Sequence, residues 1–171
     1  MKKITIVFML IFSVVLAGCG PTSSSTNNGA TNNASSDKKK STKPTDANSI
    51  INALKSAGIP VGNVNVYTEA DDPNNLLGRP GQYTSKVNFV DTRVNEDSTQ
   101  DIEVSNGGSV EVFVNENDAK SRYEYISNIA KSAPIFNEYD FRYGNVVLRI
   151  SKKLTPTQEK EYEEALTNVL K

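Results

Sequence analysis

The chain of 171 residues carries 19 Lys+Arg against 20 Asp+Glu, a formal charge of −1, with 37% hydrophobic residues, no histidine, no tryptophan and one cysteine. Without histidine, Ser-His-Asp and Cys-His nucleophilic centres, a histidine general base and histidine metal ligation are all excluded. A single cysteine excludes an intrachain disulfide and a cysteine-rich zinc site.

Met1-Lys2-Lys3 precede an apolar or hydroxylic run from Ile4 to Ala17, closed by Gly18-Cys19-Gly20. Two lysines, a core of about 14 residues and a small-residue exit have the form of a secretory signal, and the core is shorter than the ~20 residues that span a bilayer. Leu16-Ala17-Gly18-Cys19 resembles the lipobox of bacterial lipoproteins, in which the cysteine thiol is diacylated and the preceding segment is removed. The resemblance implies a lipoprotein signal peptide over 1–18, lipidation at Cys19 and a place on the outer face of the bacterial cytoplasmic membrane. The alternatives are an ordinary signal peptide with a cysteine near its end, or an uncleaved anchor. Each buried CH₂ contributes ~0.8 kcal/mol, so two or three acyl chains on Cys19 anchor stably where one is marginal.

From Gly20 to Ala47 the chain is almost entirely Ser, Thr, Asn, Gly, Ala and Lys, with no apolar periodicity to offset the entropy of ordering. Residues 19–47 therefore read as a lipidated cysteine followed by a disordered tether, with a root-mean-square span of roughly 30 Å. Lys38, Lys39, Lys40 and Lys43 either form a solvated basic spacer or touch anionic headgroups at ~1 kcal/mol each.

Residues 48–171 form one predicted domain with 13 Lys+Arg against 18 Asp+Glu, a charge of −5 that argues against a nucleic-acid partner. Asp46 serves as N-cap of a first helix whose apolar stripe is Ile50, Ile51, Leu54 and Ala57, ended by Gly58, Ile59 and Pro60. Val64–Tyr67 alternates as a strand, and 69–82 is loop. Tyr83–Val90 alternates again, with Tyr83, Ser85, Val87 and Phe89 predicted on one face. Ile102–Val104 and Val110–Val114 around Asn106-Gly107-Gly108 predict a hairpin. Asn115 caps the next helix, which carries Ala119, Tyr123, Ile126 and Ala130 and is closed by Pro134. Gly144-Asn145 joins Tyr139–Tyr143 to Val146–Ser151 in a second hairpin, and Thr155-Pro156-Thr157-Gln158 opens a last helix as a capping box. The expected fold is α+β, a largely antiparallel sheet of about five to six strands with about three helices packed on it.

The long segment from Glu69 to Tyr83 is the candidate binding loop, with Glu69, Asp71, Asp72, Asn74, Arg79 and Tyr83 as its chemistry-bearing residues. Its acidic members can be read as calcium ligands or as a solvated turn; the spacing of a calcium loop is absent. Leu76 and Leu77 either tuck onto the core or form an apolar patch, and Arg79 either pairs with Asp71 or Asp72 or faces a ligand. Glu103 and Glu111, on neighbouring strands of the first predicted hairpin, are the carboxylate pair a glycoside hydrolase would need. Ser85-Lys86 and Ser151-Lys152 are strand neighbours that point to opposite faces, which disfavours serine-lysine catalysis. Tyr123, Tyr125, Tyr139, Phe141 and Tyr143 are core aromatics or a binding surface.

Asp72-Pro73-Asn74, the run from Leu76 to Lys86 and Gly107–Phe113 resemble a family of small, uncharacterised surface lipoproteins of Gram-positive bacteria, over most of residues 50–171. The resemblance implies a lipoprotein with one α+β domain and transfers no catalytic or ligand-binding residue. The expected function is a lipid-anchored, non-enzymatic binding domain of the cell envelope, without metal or cofactor. Its expected partners are the membrane, through the anchor, and an unknown protein or envelope ligand. The alternatives are a small carboxylate-dependent envelope hydrolase and an accessory solute-binding lipoprotein.

Overall fold

The computed structural model describes residues 43–94 and 101–171, which belong to one compact unit, Lys40–Lys171. The lipobox residues Leu16, Ala17, Gly18 and Cys19 and most of the tether lie outside the described residues. Helix α1 (Ala47–Ser56) starts where the Asp46 carboxylate accepts the Ser49 amide at 2.9 Å. It ends where Gly58, at φ 93°, lets the Ile59 amide reach back to the Leu54 carbonyl at 3.1 Å. Strands β1 (Val61–Val66), β2 (Tyr83–Asp91), β3 (Gly107–Phe113), β4 (Glu138–Tyr143) and β5 (Val146–Ser151) form one antiparallel sheet in the order β1-β2-β3-β5-β4. Helix α2 (Glu116–Ser132) leads from β3 to β4, and α3 (Pro156–Leu170) closes the chain behind its Thr155–Gln158 capping box. Among the described residues, three helices on a five-stranded antiparallel sheet make an α+β fold.

The two faces of the sheet differ in chemistry. One face presents Val87, Phe89, Val110, Val112, Val146, Leu148 and Ile150, and α1 and α3 bury it with Ile50, Ile51, Leu54, Tyr162, Leu166 and Leu170. Tyr139, Phe141 and Tyr143 complete this core, so three of the candidate aromatics are packing residues. Tyr162 stacks on Phe89 with ring centroids 5.7 Å apart, and its hydroxyl donates to Asp91 at 2.7 Å, tying α3 to the end of β2. Under α2 the apolar contact is small: Tyr83, Phe113 and Val147 against Ala119 and Ile126. The remaining residues of that face are mostly polar.

Two elements depart from the sequence-based expectation. Tyr83 does not share a face with Ser85, Val87 and Phe89, because β2 has an extra residue where Tyr83 pairs with Phe113 and Ser85 with Val112. This bulge at Thr84 turns Tyr83 toward α2. The first hairpin does not form: Val104–Asn106 is a 3₁₀ turn, and Gly107 and Gly108 lie inside β3, between β2 and β5. A Cβ on Gly107 would lie 2.2 Å from the Phe89 carbonyl oxygen, and one on Gly108 would lie 2.4 Å from that of Arg149. The glycines serve close strand approach rather than a turn. The second hairpin, across Gly144-Asn145, forms in the expected register, with Tyr143 opposite Val146.

Candidate functional site

The loop between β1 and β2 is built on one carboxylate. Asp72 is only 6% exposed and accepts from Lys86 Nζ at 2.8 Å, Tyr83 Oη at 2.7 Å and the amides of Leu76 and Leu77 at 2.9 and 3.1 Å. Burial alone would raise the Asp72 pKa; the Lys86 ammonium, the Tyr83 hydroxyl and the two amides outweigh it and hold the carboxyl well below the usual carboxylate range. Asp72 and Tyr83 are therefore the loop's internal fastening. Leu76 and Leu77 pack half-buried against Tyr83 and Phe113, the tucked reading of the pair. Gly78, at φ 78°, supplies a left-handed backbone conformation that L side chains rarely adopt.

The other candidates of this loop scatter. Asp71 bonds the Thr68 hydroxyl at 2.8 Å, and Asn74 Nδ2 donates to Tyr83 Oη at 3.2 Å. Arg79 is exposed and pairs with neither Asp71 nor Asp72, whose carboxylates face Thr68 and Lys86 respectively; among the described residues it has no ion pair. No group of three or more acidic or cysteine side chains gathers as a metal site among the described residues. The Glu103–Glu111 pair dissolves: Glu103 is exposed outside the sheet, and Glu111 is fully buried between two arginines.

Those arginines define a second feature. On the α2 face, Glu111 of β3 accepts Arg122 of α2 through Nε at 2.8 Å and Nη2 at 3.0 Å, and Arg149 of β5 through Nη1 at 3.3 Å. Arg149 in turn donates to Glu138 of β4 at 2.8 and 3.1 Å. The result is a chain of alternating charge, Arg122–Glu111–Arg149–Glu138, running under α2. Burial lowers the pKa of both arginines, and the hydrogen bonds and charges of Glu111 and Glu138 reverse it, so both stay firmly ionised. The Arg122 guanidinium also sits between the rings of Tyr83 and Tyr125, 5.9 and 5.8 Å from their centroids.

A groove of about 680 Å³ opens over this chain, between the loop and α2. Asn74, Leu76 and Gln82 border it from the loop, Arg122, Tyr125, Ile126 and Ile129 from α2, and Phe136 from the turn that follows. Arg149 and Glu138 reach it from the sheet. Its size lies within the ~300–1,000 Å³ of small-ligand clefts. Of the six residues singled out in the loop, only Asn74 borders it.

Asp140 lies across from Arg149 on β4. Burial, then the Glu138 carboxylate, pushes its carboxyl up to about 7 against the pull of Arg149, and its Oδ1 has no hydrogen-bond partner. A folded pKa above the unfolded value means that the fold favours the protonated form. That stabilisation is complete below about pH 4 and is lost as pH rises through about 7. Asp140→Asn is expected to match the wild type at pH 4 and to exceed it at pH 8 by about 1–2 kcal/mol, allowing for solvent screening of a partly exposed group. Urea unfolding at the two pH values checks this; an equal difference at both would contradict it.

No family model matches the chain, and neither a curated protein nor a solved structure matches it. No helix among the described residues is long and apolar enough to cross a membrane.

Proposed function

We propose that the chain is a lipid-anchored, non-enzymatic binding domain of the bacterial cell envelope and that it binds its ligand in the groove between the 68–82 loop and α2. The observation that carries this reading is the groove itself: a cleft of small-ligand size whose polar groups are held in place by buried ion pairs. The anchor rests on Leu16-Ala17-Gly18-Cys19. Labelled palmitate is expected to enter the protein, and Cys19→Ala is expected to abolish the label; unlabelled wild type would refute the anchor. For the groove, a photocrosslinking side chain at Gln82 is expected to yield a cellular adduct that the same group at Lys55, on α1, does not. Equal adducts at both sites would refute it.

The hydrolase reading draws on one observation, a carboxyl pushed up to about 7, Asp140, beside a second carboxyl, Glu138. It requires turnover of an envelope polymer that Asp140→Asn abolishes. The firm pairing of Glu138 with Arg149 favours binding over chemistry.

A further inference from the structure

Resting on the reading of the groove as a binding site, we infer that its ligand is an uncharged oligosaccharide. Among the described residues, the charged ones that border the groove are Arg122, Arg149 and Glu138, and each is already matched: both arginines by Glu111, and Arg149 again by Glu138. A phosphate or carboxylate ligand would meet guanidiniums already neutralised, and a cationic ligand would meet a carboxylate already held bidentate. Neither gains a net field, so the ligand the floor accepts is neutral.

The same floor disfavours a purely apolar occupant. An aliphatic or aromatic side chain pressed onto it would strip the remaining water from these three ion pairs and offer no hydrogen bond in return. What the floor and the loop offer instead is planar hydrogen-bonding groups: two guanidiniums, the Glu138 carboxylate, the Asn74 carboxamide oxygen and the Gln82 carboxamide, which has no partner among the described residues. Such groups pair naturally with adjacent hydroxyls, which both donate and accept.

The apolar part of the groove is set at its wall and rim. Tyr125, on the largely polar helix α2, and Phe136, beside the exposed Ile135 in the apolar turn Pro134–Phe136, are 58% and 64% exposed, large rings left in water. The Arg122 guanidinium lies over the Tyr125 ring, 5.8 Å from its centroid. Exposed ring faces above a polar, charge-balanced floor match a sugar, whose C–H face packs on an aromatic ring while its hydroxyl edge is hydrogen-bonded.

The test is isothermal titration of the full lipidated chain in detergent micelles with chitotetraose, cellotetraose, tetragalacturonate and capped hexa-alanine. Saturable binding of at least one of the two neutral sugars is expected, with at least tenfold loss in Tyr125→Ala/Phe136→Ala and no change in Lys55→Ala. Both rings are exposed, so the double variant is expected to keep its circular dichroism and urea midpoint. Binding of neither neutral sugar overturns the inference, as does sugar binding that the double variant retains. Binding of tetragalacturonate or hexa-alanine alone overturns the ligand class. If the Gln82 crosslink forms while both neutral sugars fail, the binding-domain reading stands and only the sugar assignment falls.

Discussion

Asp72→Ala is expected to destabilise the domain by about 3–5 kcal/mol, more than any other single change in the 68–82 loop. The substitution leaves Lys86, only 2% exposed, as a buried ammonium without its counter-charge, and it strips the Leu76 and Leu77 amides and the Tyr83 hydroxyl of their acceptor. Tyr67 and Tyr83 place their rings 4.7 and 5.4 Å from the ammonium, which softens the loss without replacing an anion. The double variant Asp72→Ala/Lys86→Met is expected to recover most of the stability, since exchanging a whole buried pair for an apolar filling is close to neutral. The loop would stay loose in the double variant, because the amides still lack an acceptor. Urea unfolding of the two variants measures the first effect, and amide hydrogen exchange at Leu76 and Leu77 the second. A single-variant cost below about 1 kcal/mol would show that Asp72 is not the fastening of this loop.

That role could not be seen in the sequence, where Asp72 stands in an acidic, proline- and asparagine-rich run that reads as solvent or cation chemistry. Its partner, Lys86, lies 14 residues on, inside a strand where a lysine reads as solvent-facing. What the sequence does disclose is local. The helix starts at Asp46, Asn115 and Thr155 and the Gly58–Ile59 stop are each settled by contacts within a few residues, and all four stand as read. The hairpin across Gly144-Asn145 is of the same kind. The misreadings begin where the outcome depends on a neighbour distant in sequence. The period-2 pattern of β2 places Tyr83 correctly only if no bulge intervenes, and the bulge is a property of its pairing with β3. Asn106-Gly107-Gly108 has the composition of a turn, yet two flanking strands demand glycine there for want of space.

The groove was hidden for the same reason, compounded. Its charged chain draws on positions 111, 122, 138 and 149, one from each of four consecutive elements, and no spacing in the sequence links them. One signal was present: Glu111 and Arg149 each interrupt an apolar run at the alternate position of a strand, and Lys86 stands opposite Glu111 in β2. Three strands that each carry a charge on the same side, with a weakly apolar helix available to cover them, point to a polar face that is buried rather than solvated. Tyr125 belonged to the aromatic set considered as a binding surface, and it is the member of that set left exposed at the groove.

Glu111→Ala is the substitution expected to couple fold and site most strongly. Glu111 is fully buried and is the common acceptor of Arg122 and Arg149, so its removal leaves Arg122 without its ion pair and Arg149 with Glu138 as its paired carboxylate. The expected cost is about 3–5 kcal/mol, and Glu111→Gln is expected to recover part of it by keeping one acceptor oxygen while losing the charge. The two variants separate shape from charge at the groove. With the floor left net positive, Glu111→Gln should acquire affinity for an anionic probe such as tetragalacturonate that the wild type, with its charges matched, does not show. The added affinity should decline as salt rises, because it comes from an unbalanced and partly solvated charge. If Glu111→Gln unfolds at the wild-type urea midpoint and remains indifferent to the anion, the chain Arg122–Glu111–Arg149–Glu138 is not what balances the groove.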